Sequence, residues 1–317
     1  MHTHEELGLE SPVAYQAELR RLSAEADRAA TPEAAAAALL ATGRVNEKLG
    51  KFVLAFAQAR EARTVFRDAA AEPAGVAECA HTMAVWSFHQ GDDETSFRCF
   101  REAAALREAA GELLRSAQSW HNLGYVLCRT GRAEDAFAAF REAERLLHRV
   151  RAEGPSDLRE KAVRDGAFIL SHTAYANARY RTAADAVGAA TAYFTLVART
   201  GVHREPLLAR LALPVACPDP ALARPLTDLT GLAPDPETWF RFVVAEGRHA
   251  LATHRPGQGR RPYLGALLVA LAEYGAWCVA QGRREEGLRL VGEAVSLARS
   301  CGWAGEAERI TAAYGPR

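Results

Sequence analysis

Three copies of the tripeptide Arg-Glu-Ala in the first half of the chain begin at positions 60, 101 and 141, at intervals of 41 and 40 residues. Each copy follows a glycine at a matching distance: Gly50, Gly91 and Gly131. Features that advance together in this way indicate a repeated structural unit of about 40 residues. A unit of that size cannot bury its apolar face alone. We therefore expect the units to stack into an elongated array.

The third copy shows why small residues return at fixed places. Gly124 and Ala136 remove side-chain bulk where two antiparallel helices would cross, and Gly131 ends the first helix in a left-handed turn. Together with large apolar neighbours they form the ordered set Trp120, Leu123, Gly124, Ala136, Phe140 and Ala143. In order and spacing this set resembles the signature of the tetratricopeptide repeat (TPR). The 40-residue period is similar to that of the longer TPR variant in bacterial regulators and kinesin light chains.

The resemblance implies an all-α fold, a right-handed α-solenoid of about five antiparallel helix hairpins. TPR-like repeats are expected over residues 33–200, and a last repeat with a C-terminal cap over residues 263–317. The whole chain, residues 1–317, is then a single solenoid domain.

Residues 202–262 interrupt the pattern, since nine of the chain's 14 prolines fall there. We predict an irregular, Pro-rich insertion before the last repeat. Only residues 204–213 and 236–254 can be helical, and the rest forms turns and loops. The segment is interpreted either as a degenerate repeat with long connections or as a lid across the concave groove.

The first helix of each repeat would line the concave groove of such a solenoid. Projection of the repeat positions predicts these groove residues: Glu78, His81, Val85, Phe88, His89, Gln118, His121, Asn122, Tyr125, Arg129, Asp165, Phe168, His172 and Tyr175. His81 and His121 occupy the same repeat position and are expected to be neighbours. Histidine, tyrosine and arginine mostly donate hydrogen bonds or carry positive charge, which favours an acidic or carboxylate-bearing partner. Exposed polar side chains are equally compatible with a groove that simply faces solvent.

Three functions are compatible with this groove. The first is a protein- or peptide-binding adaptor or regulatory module. The second is a small-molecule-binding or catalytic protein of a bacterial natural-product pathway, with a pocket between groove and insertion and with His81, His121 and Tyr125 as acid–base candidates. The third is a sensor module derived from a transcription regulator. The motifs HExxH and GxSxG and the phosphate loop do not occur, so a binding module is favoured over an enzyme.

The composition narrows the classes of partner and cofactor that the protein could bind. The formal net charge is zero and no basic stripe occurs, so we expect no nucleic acid. No apolar run is long enough for a membrane span, and the first residues contain no export signal, so we expect a cytoplasmic protein. The six scattered cysteines are typical of reduced thiols. Two Glu-x-x-His pairs, Glu78/His81 and Glu246/His249, are about the number expected by chance, so neither a metal nor another cofactor is predicted.

Overall fold

A computed structural model of the protein describes residues 12–200, 207–216, 220–231, 235–253 and 261–315. Within these ranges the chain forms fifteen α-helices and no β-strand, which confirms the predicted all-α class. The helices are α1 (Pro12–Asp27), α2 (Pro32–Lys48), α3 (Phe52–Asp68), α4 (Pro73–Gln90), α5 (Asp93–Ala109), α6 (Leu113–Arg129), α7 (Ala133–Glu153), α8 (Ser156–Tyr180), α9 (Ala183–Thr200), α10 (Leu207–Ala216), α11 (Pro220–Thr230), α12 (Pro236–Thr253), α13 (Arg261–Ala280), α14 (Arg284–Ser300) and α15 (Ala304–Tyr314).

Consecutive helices pack as antiparallel hairpins: α2 with α3, α4 with α5, α6 with α7, α8 with α9, and α13 with α14. The α6–α7 hairpin shows the physical reason for the repeat signature. A Cβ atom added at Gly124 would lie 2.6 Å from the Phe140 ring and 3.2 Å from the Ala136 carbonyl oxygen. Gly131, with φ of 82°, ends the preceding helix. The recurring small residues therefore lie where helices meet backbone to backbone.

The Pro-rich segment differs from the prediction. Loops and turns were expected between Leu213 and Pro236, but residues 220–230 form helix α11, and α10 continues through Pro214. Pro220 and Pro236 each occupy the first residue of a helix, where proline lacks only a hydrogen bond that the position would not make anyway. Residues 202–206, 217–219, 232–234 and 254–260 of this segment lie outside the described residues.

The C-terminal segment, for which we predict a cap, forms α15 and returns to the early repeats. Helix α15 packs against α4, and α13 packs against both α10 and α15. A Cβ atom added at Gly305 would lie 2.1 Å from the Gly91 nitrogen, so the start of α15 touches the turn after α4. Gln90 also donates a hydrogen bond to the Gly302 carbonyl oxygen at 3.0 Å. The concave side of the array is therefore covered by the chain's own C-terminal helices.

One continuous apolar core follows this path, from Ala36 on α2 to Ile310 on α15. Its largest fully buried side chains include Trp86, Phe100 and Phe140 on the repeat helices. Of the helices that the structure describes, none combines the length and apolar character needed to cross a membrane.

Candidate functional site: a cavity under the C-terminal helices

A cavity of about 210 Å³ lies between the concave face and the C-terminal helices. Helices α4, α6 and α8 form most of one wall, and α10, α13 and the start of α15 form the other. The apolar lining residues are Val85, Phe88, Phe100, Val126, Phe168, Leu208, Ala266 and Trp303. The polar ones are His89, His121, Asn122, Tyr125, Ser171, His172 and Glu306. Of the two interpretations that the sequence leaves open for this stretch of the groove, solvent-facing or ligand-binding, the covering C-terminal helices favour the second.

Two buried histidines from neighbouring inner helices meet at the cavity. His121 Nε2 lies 3.2 Å from His172 Nδ1, and the ring centroids are 4.6 Å apart. His172 Nδ1 is also 2.9 Å from the Phe168 backbone oxygen, which can only accept a hydrogen bond. Nδ1 of His172 therefore carries the proton, and its Nε2 is left as an acceptor to which no described group donates. Burial lowers the pKa of His172 to about 4, so the ring is neutral at neutral pH.

Tyr125 places a hydroxyl group beside these histidines. Its ring contacts His172 edge-on at 4.9 Å and Phe88 at 6.1 Å. A Cβ atom added at Gly265, on the opposite wall, would lie 3.9 Å from the hydroxyl oxygen and close to nothing else. No group in the described ranges accepts a hydrogen bond from this hydroxyl. Burial raises the pKa of Tyr125, so the phenol is neutral and available as a donor.

His89 and Trp303 stack at the junction of α4 and α15. Their ring centroids are 4.1 Å apart with an interplanar angle of 15°. Nδ1 of His89 is buried and has no hydrogen-bond partner within the described structure. Burial lowers the pKa of His89 to about 4, so this ring is also neutral at neutral pH.

A buried ion-pair network ties α6 to α15. Arg129 donates a hydrogen bond to Glu306, and both side chains are only 5% exposed. Glu306 also accepts from Arg309 at 3.1 Å. Arg309 in turn bonds Asp93 at 2.9 Å and the Phe88 carbonyl oxygen at 2.7 Å. The carboxylate that we expected from a partner is here supplied by the chain itself.

A second polar cluster lies further along the same seam. The Tyr175 hydroxyl donates to Glu273 of α13 at 2.7 Å, and Arg179 and Tyr314 donate to the same carboxylate oxygen. Tyr175 does not line the cavity. This predicted groove residue therefore fastens α8 to the C-terminal helices.

The predicted residues at the other edge form a network of their own. Arg107 bonds Glu78 at 2.6 Å and His81 Nδ1 at 3.0 Å. The Asn122 amide lies 3.3 Å from Nε2 of His81. His81 does not line the cavity; it contacts Asn122, the residue next to His121, whereas the histidine ring that His121 itself meets is that of His172. Gln118 is exposed and bonds Asp165 at 2.9 Å.

The structure thus brings together one part of the predicted set at the cavity: Val85, Phe88, His89, His121, Asn122, Tyr125, Phe168 and His172. The sequence projection missed every lining residue that comes after position 200, namely Leu208, Gly265, Ala266, Trp303 and Glu306. One feature of the sequence could have indicated that α13 packs against the repeats. Glu273 stands alone among the apolar residues of α13, and a buried carboxylate needs a cationic or hydrogen-bonding partner such as Arg179.

Among the described residues, no three His, Cys, Asp or Glu side chains converge in a geometry that could hold a metal ion. Cys79, Cys99, Cys128 and Cys278 are buried free thiols, and Cys301 is partly buried. Burial raises the pKa of Cys128 to about 12, which keeps it protonated at neutral pH. Cys217 lies outside the described residues.

Residues 76–147, which span α4 to α7, match the family described as Tetratricopeptide repeat. This match covers the part of the chain where the repeat signature is clearest. No curated protein matches the sequence.

Two solved structures share the architecture. BtubC (BKLC) from P. vanneervenii superposes with a TM-score of 0.54 at 14% identity, over 78% of this chain and 96% of that one. Aspartyl phosphate phosphatase F from Bacillus subtilis superposes with a TM-score of 0.60 at 10% identity, over 89% of this chain and 70% of that one. At these identities the likeness establishes the helical repeat fold alone.

Proposed function

We propose that this TPR-type repeat protein is a regulatory interaction module that binds a small molecule in the cavity under its C-terminal helices. Helical repeats supply extended surfaces for partner proteins. The cavity gives such a module a second, enclosed site. A ligand in that site would contact both walls and so stabilise the closed array by mass action.

The observation that carries this proposal is a pair of unpaired polar atoms in a largely apolar pocket. The Tyr125 hydroxyl and His172 Nε2 are bonded to no described group, and both residues line the cavity. Neither atom is among the fully buried polar atoms without a partner, so each is open to a molecule in the cavity. A ligand that accepts a hydrogen bond from the tyrosine and donates one to the histidine would satisfy both.

The size of the cavity restricts the ligand. An apolar cavity of roughly 150 Å³ can hold benzene, whereas drug-sized ligands occupy pockets of about 300–1,000 Å³. At about 210 Å³, this cavity suits a molecule of one or two rings and is too small to enclose a peptide.

The test is a thermal-shift screen of small metabolites against three proteins. Gly265→Leu places a side chain across the cavity from Tyr125, whereas Gly292→Leu makes the same change at an exposed glycine of α14 with open space around it. We expect hits to raise the melting temperature of the wild type and Gly292→Leu but not that of Gly265→Leu. Equal shifts in all three proteins, or no hit at all, would contradict the proposal.

A second candidate function is favoured by the way α15 lies on the repeats. Trp303 stacks on His89 and Glu306 binds Arg129, so the concave face holds a helix bearing an aromatic residue and an acid three positions apart. A partner helix of the same pattern could take this place when α15 is released. A labelled peptide of residues 302–315 tests this by fluorescence anisotropy. It should bind Glu306→Ala more tightly than the wild type and lose affinity when its own tryptophan is replaced by alanine. Equal affinity for both proteins would exclude this mode.

A further inference from the structure

Every described charge beside the cavity is already compensated. Arg129 is paired with Glu306, and Glu306 accepts from two guanidinium groups. Arg309 also bonds Asp93, so the four groups form a closed network of two cations and two anions. An ionised ligand would find no free counter-ion there.

The histidines do not change this balance. His89 and His172 are neutral at neutral pH, because burial lowers the pKa of each ring to about 4. The pKa of His121 is also lowered by burial, with the neighbouring His172 acting in the same direction. These rings therefore offer neutral donors and acceptors rather than positive charge.

We infer that the ligand of the cavity is an uncharged, compact ring compound bearing a hydroxyl group; this inference rests on the proposed function. Transfer of an ionised group into such an enclosure without a counter-ion is costly, since burial removes its hydration. A neutral molecule avoids that cost.

The free polar atoms specify what the ligand presents. His172 Nε2 can only accept a hydrogen bond, because Nδ1 holds the ring proton. The Tyr125 hydroxyl has no described acceptor and can donate. One hydroxyl group can donate to the histidine and accept from the tyrosine, which makes it the simplest group that satisfies both.

The walls specify the rest of the molecule. Phe88, Phe168 and Trp303 surround the polar atoms with aromatic faces and edges. Aromatic pairs add binding energy beyond the area that they bury, when ring centroids lie roughly 4.5–7 Å apart. The walls therefore favour a flat ring over a flexible chain.

Three probes of one ring size test the charge: benzyl alcohol, benzoate and benzylammonium, titrated into the protein by calorimetry at neutral pH. We expect benzyl alcohol to bind about tenfold more tightly than either ion, which corresponds to about 1.4 kcal/mol. Its binding should be lost in Gly265→Leu and kept in Gly292→Leu. Should Gly265→Leu fail to fold, as judged by circular dichroism, Val85→Trp fills the cavity from the α4 side and serves in its place.

The hydroxyl group is tested with Tyr125→Phe, which keeps the ring and removes the donor. Benzyl alcohol should lose about five- to tenfold in affinity, the effect of one hydrogen bond, whereas toluene should bind the variant and the wild type alike.

The outcomes separate the two proposals. If an ion binds as tightly as benzyl alcohol and Gly265→Leu abolishes its binding, the cavity is a ligand site but the inference about charge is wrong. An equal effect of Tyr125→Phe on benzyl alcohol and toluene overturns the inference about the hydroxyl group. If no probe binds, or binding survives both filling variants, the proposed function fails and the inference fails with it.

Discussion

Arg129 on α6 and Glu306 on α15 are 177 positions apart in the sequence, and they form an ion pair with both side chains 5% exposed. The pair lies where the last helix meets the concave face of the third hairpin. Together with Arg309 it fixes α15 over the cavity. The closed shape of the array therefore depends on a contact between its middle and its end.

Loss of the Glu306 carboxylate should destabilise the protein strongly. Glu306→Ala leaves the Arg129 guanidinium buried without its counter-ion, and breaking a buried pair in this way costs about 3–5 kcal/mol. The free energy of unfolding, measured with urea, should fall by that amount. Glu25→Ala breaks the exposed pair of Glu25 with Arg21 on α1 and should lower the free energy of unfolding far less, because water screens that pair.

The same pair allows a stricter version of the test. In the double variant Arg129→Met/Glu306→Leu no buried charge remains at these two positions, and apolar replacement of a buried pair is often neutral. We expect the double variant to recover much of the stability that Glu306→Ala loses. A Glu306→Ala protein as stable as the wild type would show that α15 does not close the array.

The repeat packing predicts opposite effects for one substitution at two glycines. Gly124→Ala directs a methyl group at the Phe140 ring and should cost roughly 1–3 kcal/mol, because a close-packed contact must open. Gly188→Ala, on the exposed face of α9 with open space around it, should stabilise the helix by up to about 1 kcal/mol. Urea unfolding measures both. A Gly124→Ala protein as stable as the wild type, or more stable, would mean that the α6–α7 contact is looser than described.

His89 should make stability sensitive to acid. Burial lowers its pKa from about 6.5 to about 4. Of the two charged neighbours on α15, Glu306 raises this pKa and Arg309 lowers it, each by less than burial does. At a pH between these two values, His89 binds a proton in the unfolded state but not in the folded state. The stability is therefore complete above about pH 6.5 and is lost as the pH falls toward 4.

The contribution of His89 to the free energy of unfolding should be about 2 kcal/mol smaller at pH 5 than at pH 7.5. His89→Phe keeps a ring against Trp303 and removes the proton site, so its free energy of unfolding should fall by that much less over the same interval. His148→Phe makes the same substitution at an exposed position of α7 and is the control. An identical fall in wild type and His89→Phe would contradict the burial of His89.

The repeats can be predicted from the sequence because the residues that determine each hairpin lie close together in the chain. Gly124, Ala136 and Phe140 lie within one hairpin, and the spacing of small and large residues reports the contact directly. The same reasoning places His121, Tyr125 and His172 on inner helices, where they are found. Their mutual geometry follows from the stacking of α6 on α8.

The packing of the C-terminal helices on the concave face cannot be predicted in this way, for a physical reason. Trp303 and Glu306 lie at the start of α15, a helix outside the repeat register, and their partners His89 and Arg129 are distant in sequence. The sum of many small rotations between hairpins decides whether the ends of an array meet. No local pattern encodes that sum, so residues that the projection exposes to solvent are buried in the structure.

The most direct test of the account is the titration of His172, followed by NMR of its ring nuclei and assigned by comparison with His172→Gln. If α13 and α15 enclose the concave face, the ring should remain neutral down to a pKa of about 4, with its proton on Nδ1. A pKa near the ordinary value of 6.5, with the proton on Nε2, would show a solvent-facing groove and would contradict the account.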